Sequence, residues 1–67
     1  MMIVLNGVSR ELPPARLNVA TALQLLGFGA AVVATALNGE FVPAGTRSQT
    51  PLNEGDRLEV LAPMQGG

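Results

Sequence analysis

The stretch Met2–Leu12, MIVLNGVSREL, consists of two apolar runs on either side of the pair Asn6-Gly7. Both residues of that pair tolerate a positive φ, which the two central positions of a type I′ turn require. The stretch therefore predicts a hairpin of two antiparallel strands, over Met2–Leu5 and Val8–Leu12. A pair of prolines follows and ends the second strand, because proline has no N–H to donate to a sheet.

The same pattern occurs again in the middle of the chain, where VVATALNGEFV spans residues 32–42. It predicts a second Asn-Gly hairpin, with strands over Val32–Leu37 and Glu40–Val42. The next segment, AGTRSQTP, is polar and irregular and leaves room for a short helical turn. Arg57–Ala62, RLEVLA, alternates in polarity, which predicts a last strand with one buried face.

One helix is predicted between the two hairpins, at about residues 19–26. Asn18 is a favoured N-cap, and Gly27 is a favoured residue just beyond a helix end. Apolar residues recur at the spacing of one helical face, at Val19, Leu23 and Leu26. The whole order predicts an α+β fold, in which one mixed sheet of about five strands packs on one helix. The last strand is expected to lie beside the first strand and parallel to it.

The composition of the 67 residues excludes most catalytic chemistry. There is no Cys or His, and all four basic residues are arginines, so thiol, imidazole and lysine chemistry are excluded. Scattered arginines and only two aromatic rings argue against binding nucleic acid. The sequence contains neither a long apolar run nor the features of a signal peptide. We therefore expect a cytoplasmic protein that is not an enzyme and has no membrane partner.

Two groups of side chains are candidate sites. Glu54, Asp56 and Glu59 are the only clustered acids, and carboxylates of this kind can bind a hard cation. The simpler expectation is that Asp56 caps the turn before the last strand and that Glu59 faces solvent. A hydroxyl nucleophile would require Ser9 or Ser48 beside a carboxylate, and we expect neither serine to be catalytic.

Leu61 differs from its neighbours in the last strand, because the alternation places this apolar residue on the outer face. It is either an ordinary exposed leucine or part of a patch that binds a partner. Phe41 and Val42 raise the same question. The residues alone do not decide between these two interpretations.

The last five residues, Pro63, Met64, Gln65, Gly66 and Gly67, are predicted to form a flexible tail outside a domain of residues 1–62. The proline sets the exit direction, and the tail reaches about 15 Å. The two glycines have no Cβ, so this end can pass through a narrow channel. The α-carboxylate at the end is a poor electrophile until a partner activates it, for example as an acyl-adenylate. Such chemistry requires no reactive side chain from this protein.

The segments MIVLNG, ALNGEFVP and LNEGDRLEVLAPMQGG resemble ubiquitin-like β-grasp proteins, and more narrowly the bacterial sulfur carriers of thiamine thiazole synthesis. The resemblance implies an E1-like adenylyltransferase that uses ATP to adenylate the carboxylate of Gly67. It also implies a sulfur donor, such as a cysteine desulfurase, that converts this group to a thiocarboxylate, and a thiazole synthase that receives the sulfur. Residues 63–66 would enter the active sites of these partners, and the chain itself would bind no cofactor.

Two alternatives remain open at this point. Related β-grasp carriers supply sulfur for molybdopterin, cysteine or tRNA thiolation, although the short chain and the Pro-Met-Gln segment favour thiamine. A non-covalent interaction module would instead use its sheet to bind a partner, with an idle tail. In either case Leu61 is the candidate docking residue.

Overall fold

Seven strands, one α-helix and one 3₁₀ helix form the part of the chain that the computed structural model describes, residues 1–29 and 31–62. Their bounds are β1 Met2–Leu5, β2 Val8–Glu11, β3 Leu17–Asn18, α1 Val19–Leu25, β4 Ala34–Leu37, β5 Glu40–Val42, the 3₁₀ helix Ala44–Gln49, β6 Pro51–Leu52 and β7 Arg57–Leu61. The predicted hairpins, helix and last strand are therefore all present, with small differences at their ends.

Five strands form one mixed sheet in the order β2-β1-β7-β4-β5. The central strand β7 is parallel to β1 and antiparallel to β4, and the two hairpins form the outer pairs. The prediction of an α+β fold with the last strand parallel to the first is confirmed. A second sheet of β3 and β6 was not predicted, because strands of two residues are too short to show a periodicity.

The two Asn-Gly turns have the backbone conformation that the sequence predicts. Asn6 and Gly7 have φ values of 48° and 82°, and Asn38 and Gly39 have 51° and 87°. Both turns therefore have a positive φ at both central positions, as a type I′ hairpin requires. Since this turn matches the right-handed twist of the flanking strands, each hairpin forms with only two loop residues.

Helix α1 begins and ends close to the predicted residues. The Asn18 side chain accepts a hydrogen bond from the backbone N–H of Thr21 at 2.8 Å, which confirms its role as the N-cap. The helix ends at Leu25, with Leu26 as C-cap, and Gly27 follows with a φ of 93°. Leu25 is exposed, as expected for a residue off the buried face.

Three strand boundaries differ from the prediction. β2 ends at Glu11, and the following Leu12 is buried in the core. β4 begins at Ala34, because the pair of Ala34 and Leu61 is the first between β4 and β7. Residues 32 and 33 therefore precede the paired segment. β7 ends at Leu61, one residue before the predicted end.

The core lies between helix α1 and one face of the five-stranded sheet. Its buried residues come from both layers and from the short second sheet: Ile3, Leu5, Leu12, Leu17, Val19, Ala22, Leu23, Leu52, Leu58 and Val60. Thr35 is the buried polar residue of the described part, and its hydroxyl donates to the carbonyl of Val42 at 2.8 Å. Arg47 donates to the same hydroxyl and to the carbonyl of Val33, so the 3₁₀ helix is attached to β4 and the residue before it.

The central strand allows a matched test of this core. Leu58→Ala should lower the free energy of unfolding by about 3 kcal/mol, because Leu58 is fully buried and the substitution leaves a cavity. Leu61→Ala, on the exposed face of the same strand, should change it by no more than about 0.5 kcal/mol. Urea denaturation of both variants measures the difference, and equal losses would contradict the assignment of the two faces.

Candidate functional site

Strand β7 carries the chain to the predicted tail and alternates between two environments. Leu58 and Val60 are buried against the helix side, whereas Arg57, Glu59 and Leu61 are exposed on the other side, which we call the outer face. This alternation confirms the prediction over Arg57–Leu61, whereas Ala62, the last residue of the predicted strand, is exposed and follows β7. The outer face is therefore the exposed side of the strand that ends at Leu61, one residue before the last described residue.

An apolar patch lies on the outer face at the end of β7. The outer patch consists of Leu61, Phe41, Ala34 and Ala36, which share one face because Ala34 pairs with Leu61 and Ala36 pairs with Phe41. Phe41 and Leu61 are 70% and 65% exposed. With Glu59 beside them, these residues line a shallow depression of about 120 Å³. The patch thus combines two large exposed apolar side chains with small residues between them.

Val42 does not belong to the outer patch. Successive side chains of a strand point to opposite faces, so Val42 points toward the core while Phe41 points outward. Val42 is only 6% exposed. Of the three residues whose role the sequence left open, the structure therefore brings Phe41 and Leu61 onto one surface and removes Val42 from it.

Hydrogen bonds account for two of the three clustered acids. The Asp56 carboxylate accepts from the backbone N–H of Asn53 at 2.8 Å and from the Asn38 side chain at 3.0 Å, which confirms that it caps the turn. Glu54 accepts from the backbone N–H of Met2 at 3.0 Å. Glu59 is exposed on the outer face, as predicted. Within residues 1–29 and 31–62, no group of three His, Cys, Asp or Glu side chains is placed to hold a metal ion.

The two serines lie on different parts of the surface. Ser9 is exposed on β2, opposite Val4 of the neighbouring strand. Ser48 is exposed in the 3₁₀ helix, beside α1. The structure does not bring them together into one site.

No helix of the described segments is long and apolar enough to cross a membrane.

The predicted tail residues Pro63, Met64, Gln65, Gly66 and Gly67 lie outside the described residues. The last described residue is Ala62, directly after Leu61 of the outer patch. The roles of the tail therefore remain predictions from the sequence.

Sequence reasoning missed the side chains of Asn6 and Asn38. It used these residues only for the backbone conformation of the two turns. In the structure each side chain also bonds to the backbone of β7, Asn6 at Val60 and Asn38 at Arg57. The sequence did contain one signal. Asn occurs at the first central position of both turns, where Gly would also fit, and Asn differs from Gly in having a side-chain amide.

Comparison with solved structures identifies the class of protein. A crystal structure of the thiamine biosynthesis protein ThiS of Geobacter metallireducens superimposes with a TM-score of 0.86 at 33% identity, over all of both chains. A solution NMR structure of a thiamine biosynthesis protein of the same organism has a TM-score of 0.80 at 32% identity, over all of this chain and 88% of the other. The mixed sheet on one helix is therefore a ubiquitin-like β-grasp fold, as the sequence predicted.

The family follows from the sequence match. The model of the ThiS family matches residues 3–67, and the chain belongs to this family. Proteins of this kind are small carrier proteins rather than enzymes, and the membership supports a sulfur carrier role in thiamine biosynthesis.

A curated relative adds a connection to thiazole. A thiazole synthase of Paramagnetospirillum magneticum is 37% identical over 67 residues, which are the whole of this chain and 20% of that protein. The chain therefore spans about a fifth of the length of this curated relative.

The turn before β7 provides a test of the interpretation of the acids. Asp56→Ala should lower the free energy of unfolding by about 1 kcal/mol, because two donors lose their acceptor. Glu59→Ala should change it by less than about 0.5 kcal/mol, since Glu59 is an exposed surface residue. Urea denaturation measures both, and a Glu59→Ala loss as large as that of Asp56→Ala would contradict the assignment.

Proposed function

We propose that the chain is a sulfur carrier for thiazole formation in thiamine biosynthesis, with the carboxylate of Gly67 as its reactive group. The observation that supports this proposal most strongly is the family match over residues 3–67, because it includes the diglycine. The composition is consistent with it, since the chain contains no Cys, His or Lys and chemistry at a terminal carboxylate requires none of them.

The proposed reaction has three steps. A carboxylate oxygen of Gly67 attacks the α-phosphate of ATP on an adenylating partner, which forms an acyl-adenylate and releases pyrophosphate. In the second step a persulfide of the donor protein displaces AMP to form an acyl disulfide, and a thiol then cleaves its S–S bond, which releases the thiocarboxylate and leaves a disulfide on the donor. In the third step thiazole synthase takes the sulfur, and an oxygen atom from its substrate or from water restores the carboxylate. Covalent intermediates of this kind divide one difficult transfer into easier steps.

The proposed partners are an E1-like adenylyltransferase, a sulfur donor such as a cysteine desulfurase, and thiazole synthase. The Paramagnetospirillum relative supports the last of these, because a protein named thiazole synthase contains a segment that matches this whole chain. ATP belongs to the adenylating partner in this proposal. Pro63, Met64, Gln65 and Gly66 would extend into each partner's active site, where the two glycines require the least width.

The outer patch is the proposed docking surface for these partners. Phe41 and Leu61 present apolar side chains of the kind that form the centre of protein interfaces. Ala62 follows Leu61 directly, so a partner that covers the patch is also placed where the tail begins. One surface would thus bind the body of the carrier and receive its reactive end.

A non-covalent interaction module is the second candidate, and the exposed outer patch is the observation that favours it. Such a module would need the sheet but not the diglycine. Carriers for molybdopterin, cysteine or tRNA thiolation would need both, but would not restore thiamine synthesis. Rescue of a thiamine auxotroph by full-length and truncated chains therefore separates the proposed function from both alternatives.

Removal of Gly67 tests the reactive group. The full chain isolated from active cells should contain a fraction that is heavier by the difference between one sulfur and one oxygen atom, as measured by mass spectrometry. Deletion of Gly67 should abolish this fraction and the rescue, with the free energy of unfolding unchanged within about 0.5 kcal/mol. Gly67→Ala is the matched control, because it keeps the length of the tail and the position of the terminal carboxylate and should keep some of the modified fraction. A modified fraction that survives the deletion would contradict the proposal.

The outer patch can be tested with two leucines. Leu61→Ser should weaken binding to the adenylating partner by about tenfold, because truncation of a large apolar side chain at an interface centre costs more than about 1 kcal/mol. Leu25→Ser is the control, since Leu25 is 49% exposed on helix α1, away from the sheet's outer face. Titration calorimetry gives both affinities, and a loss of affinity for Leu25→Ser alone would place the docking surface on the helix.

A further inference from the structure

The side chain of Asn6 forms a reciprocal pair of hydrogen bonds with one residue of β7. Its Nδ2 donates to the carbonyl of Val60 at 3.0 Å, and its Oδ1 accepts from the N–H of Val60 at 2.8 Å. A side-chain amide has the same donor and acceptor as a peptide group. Asn6 therefore bonds to Val60 as a neighbouring strand would.

The pair continues the parallel ladder beyond the end of β1. The backbone N–H of Val4 donates to the carbonyl of Asp56 at 2.9 Å, and that of Asn6 donates to the carbonyl of Leu58 at 3.0 Å. The next residue of β7 that faces β1 is Val60, but the chain turns toward β2 after Leu5. The Asn6 side chain supplies the contact that the turn would otherwise remove.

Val60 is close to the point where the tail begins. On its other side β7 remains paired with β4 as far as Ala34 and Leu61. Only Leu61 and Ala62 separate Val60 from Pro63. The Asn6 amide is thus the last hydrogen-bonded contact on the β1 side of the strand among the described residues.

Asn38 occupies the equivalent position at the opposite end of β7. Its Oδ1 accepts from the N–H of Arg57 at 2.9 Å, and its backbone N–H donates to the carbonyl of Arg57 at 2.8 Å. It belongs to the same type of turn as Asn6, with a nearly equal φ. The two asparagines therefore hold opposite ends of the strand, and they differ in that the Nδ2 of Asn38 donates to the Asp56 carboxylate, whereas that of Asn6 donates to Val60.

We infer that Asn6 is a positioning residue that sets the direction in which the tail leaves β7, a role that rests on the proposed function of Gly67. Without the amide, the end of β7 would be hydrogen-bonded only to β4. The end of the strand could then rotate about the edge that it shares with β4. The reactive carboxylate lies seven residues beyond Val60. If the end of β7 is not held, the tail starts from a less defined position relative to the outer patch, so the carboxylate reaches the partner's active site in a smaller fraction of the bound complexes. Displacements of about 1 Å can reduce a reaction rate by about a hundredfold.

The substitution Asn6→Gly isolates this role. Glycine adopts the positive φ of the turn without strain but has no amide, so the hairpin is retained and the contact with Val60 is lost. Asn38→Gly is the matched control, because it removes a side chain from the same turn type at the other end of β7. Asn6→Asp is a second variant. It keeps an oxygen that accepts from the N–H of Val60, but it loses the N–H group that donates to the carbonyl of Val60.

The experiment measures adenylation of the full chain by its adenylating enzyme with ATP, as pyrophosphate release, at a temperature where all variants are folded. Asn6→Gly should lower kcat by about tenfold or more and raise KM by a smaller factor, because Leu61 of the outer patch stays paired with Ala34 while the carboxylate is less well positioned. Asn38→Gly should leave kcat within about twofold of the original chain. Amide hydrogen exchange should become faster at Val60 in Asn6→Gly and at Arg57 in Asn38→Gly.

Each result decides between distinct conclusions. Equal losses of kcat in the two glycine variants, in proportion to their stability, would show that Asn6 only stabilises the fold. Faster exchange at Val60 with an unchanged kcat would also overturn the positioning role. An original chain that releases no pyrophosphate would overturn the proposed function, and with it the reaction for which Asn6 positions the tail.

Discussion

The structure depends on the hydrogen bonding of β7 along both of its edges. A strand at the centre of a sheet must satisfy its N–H and C=O groups on two sides, because buried polar groups without partners are costly. β1 and β4 provide most of these partners, and Asn6 and Asn38 extend them at the two ends of the strand. The last strand of the chain is therefore also the strand that joins the two hairpins into one sheet.

This arrangement separates structural stability from recognition. The face of β7 that contains Leu58 and Val60 packs on the helix, while the opposite face carries Leu61 beside Phe41. Residues for docking can therefore occupy the outer face without being required by the core. The proposed chemistry is separate from both, since it belongs to a tail that follows Ala62. The proposed carrier would need such a separation, because it would have to bind more than one partner without disturbing its core.

Local patterns predicted the parts of the fold that depend on local interactions. The two Asn-Gly hairpins depend on backbone preferences of adjacent residues, and α1 depends on a cap and a repeat within a few turns. The short sheet of β3 and β6 was missed, because it joins Leu17 to Leu52 across a long separation in the chain. Likewise, Arg47 looked like a scattered charge in the sequence, whereas it bonds to the Thr35 hydroxyl in the structure.

The sequence by itself determined the order of helix α1 and the five strands of the main sheet, the two turns, the faces of the helix and last strand, and the family resemblance of the chain. These follow from periodicity, turn chemistry and motifs that neighbouring residues carry. Only the tertiary structure decided that Phe41 and Leu61 share one surface, that Val42 belongs to the core, and that the Asn6 amide holds Val60. Those facts depend on strand register between distant segments, and a shift of one residue would reverse every face.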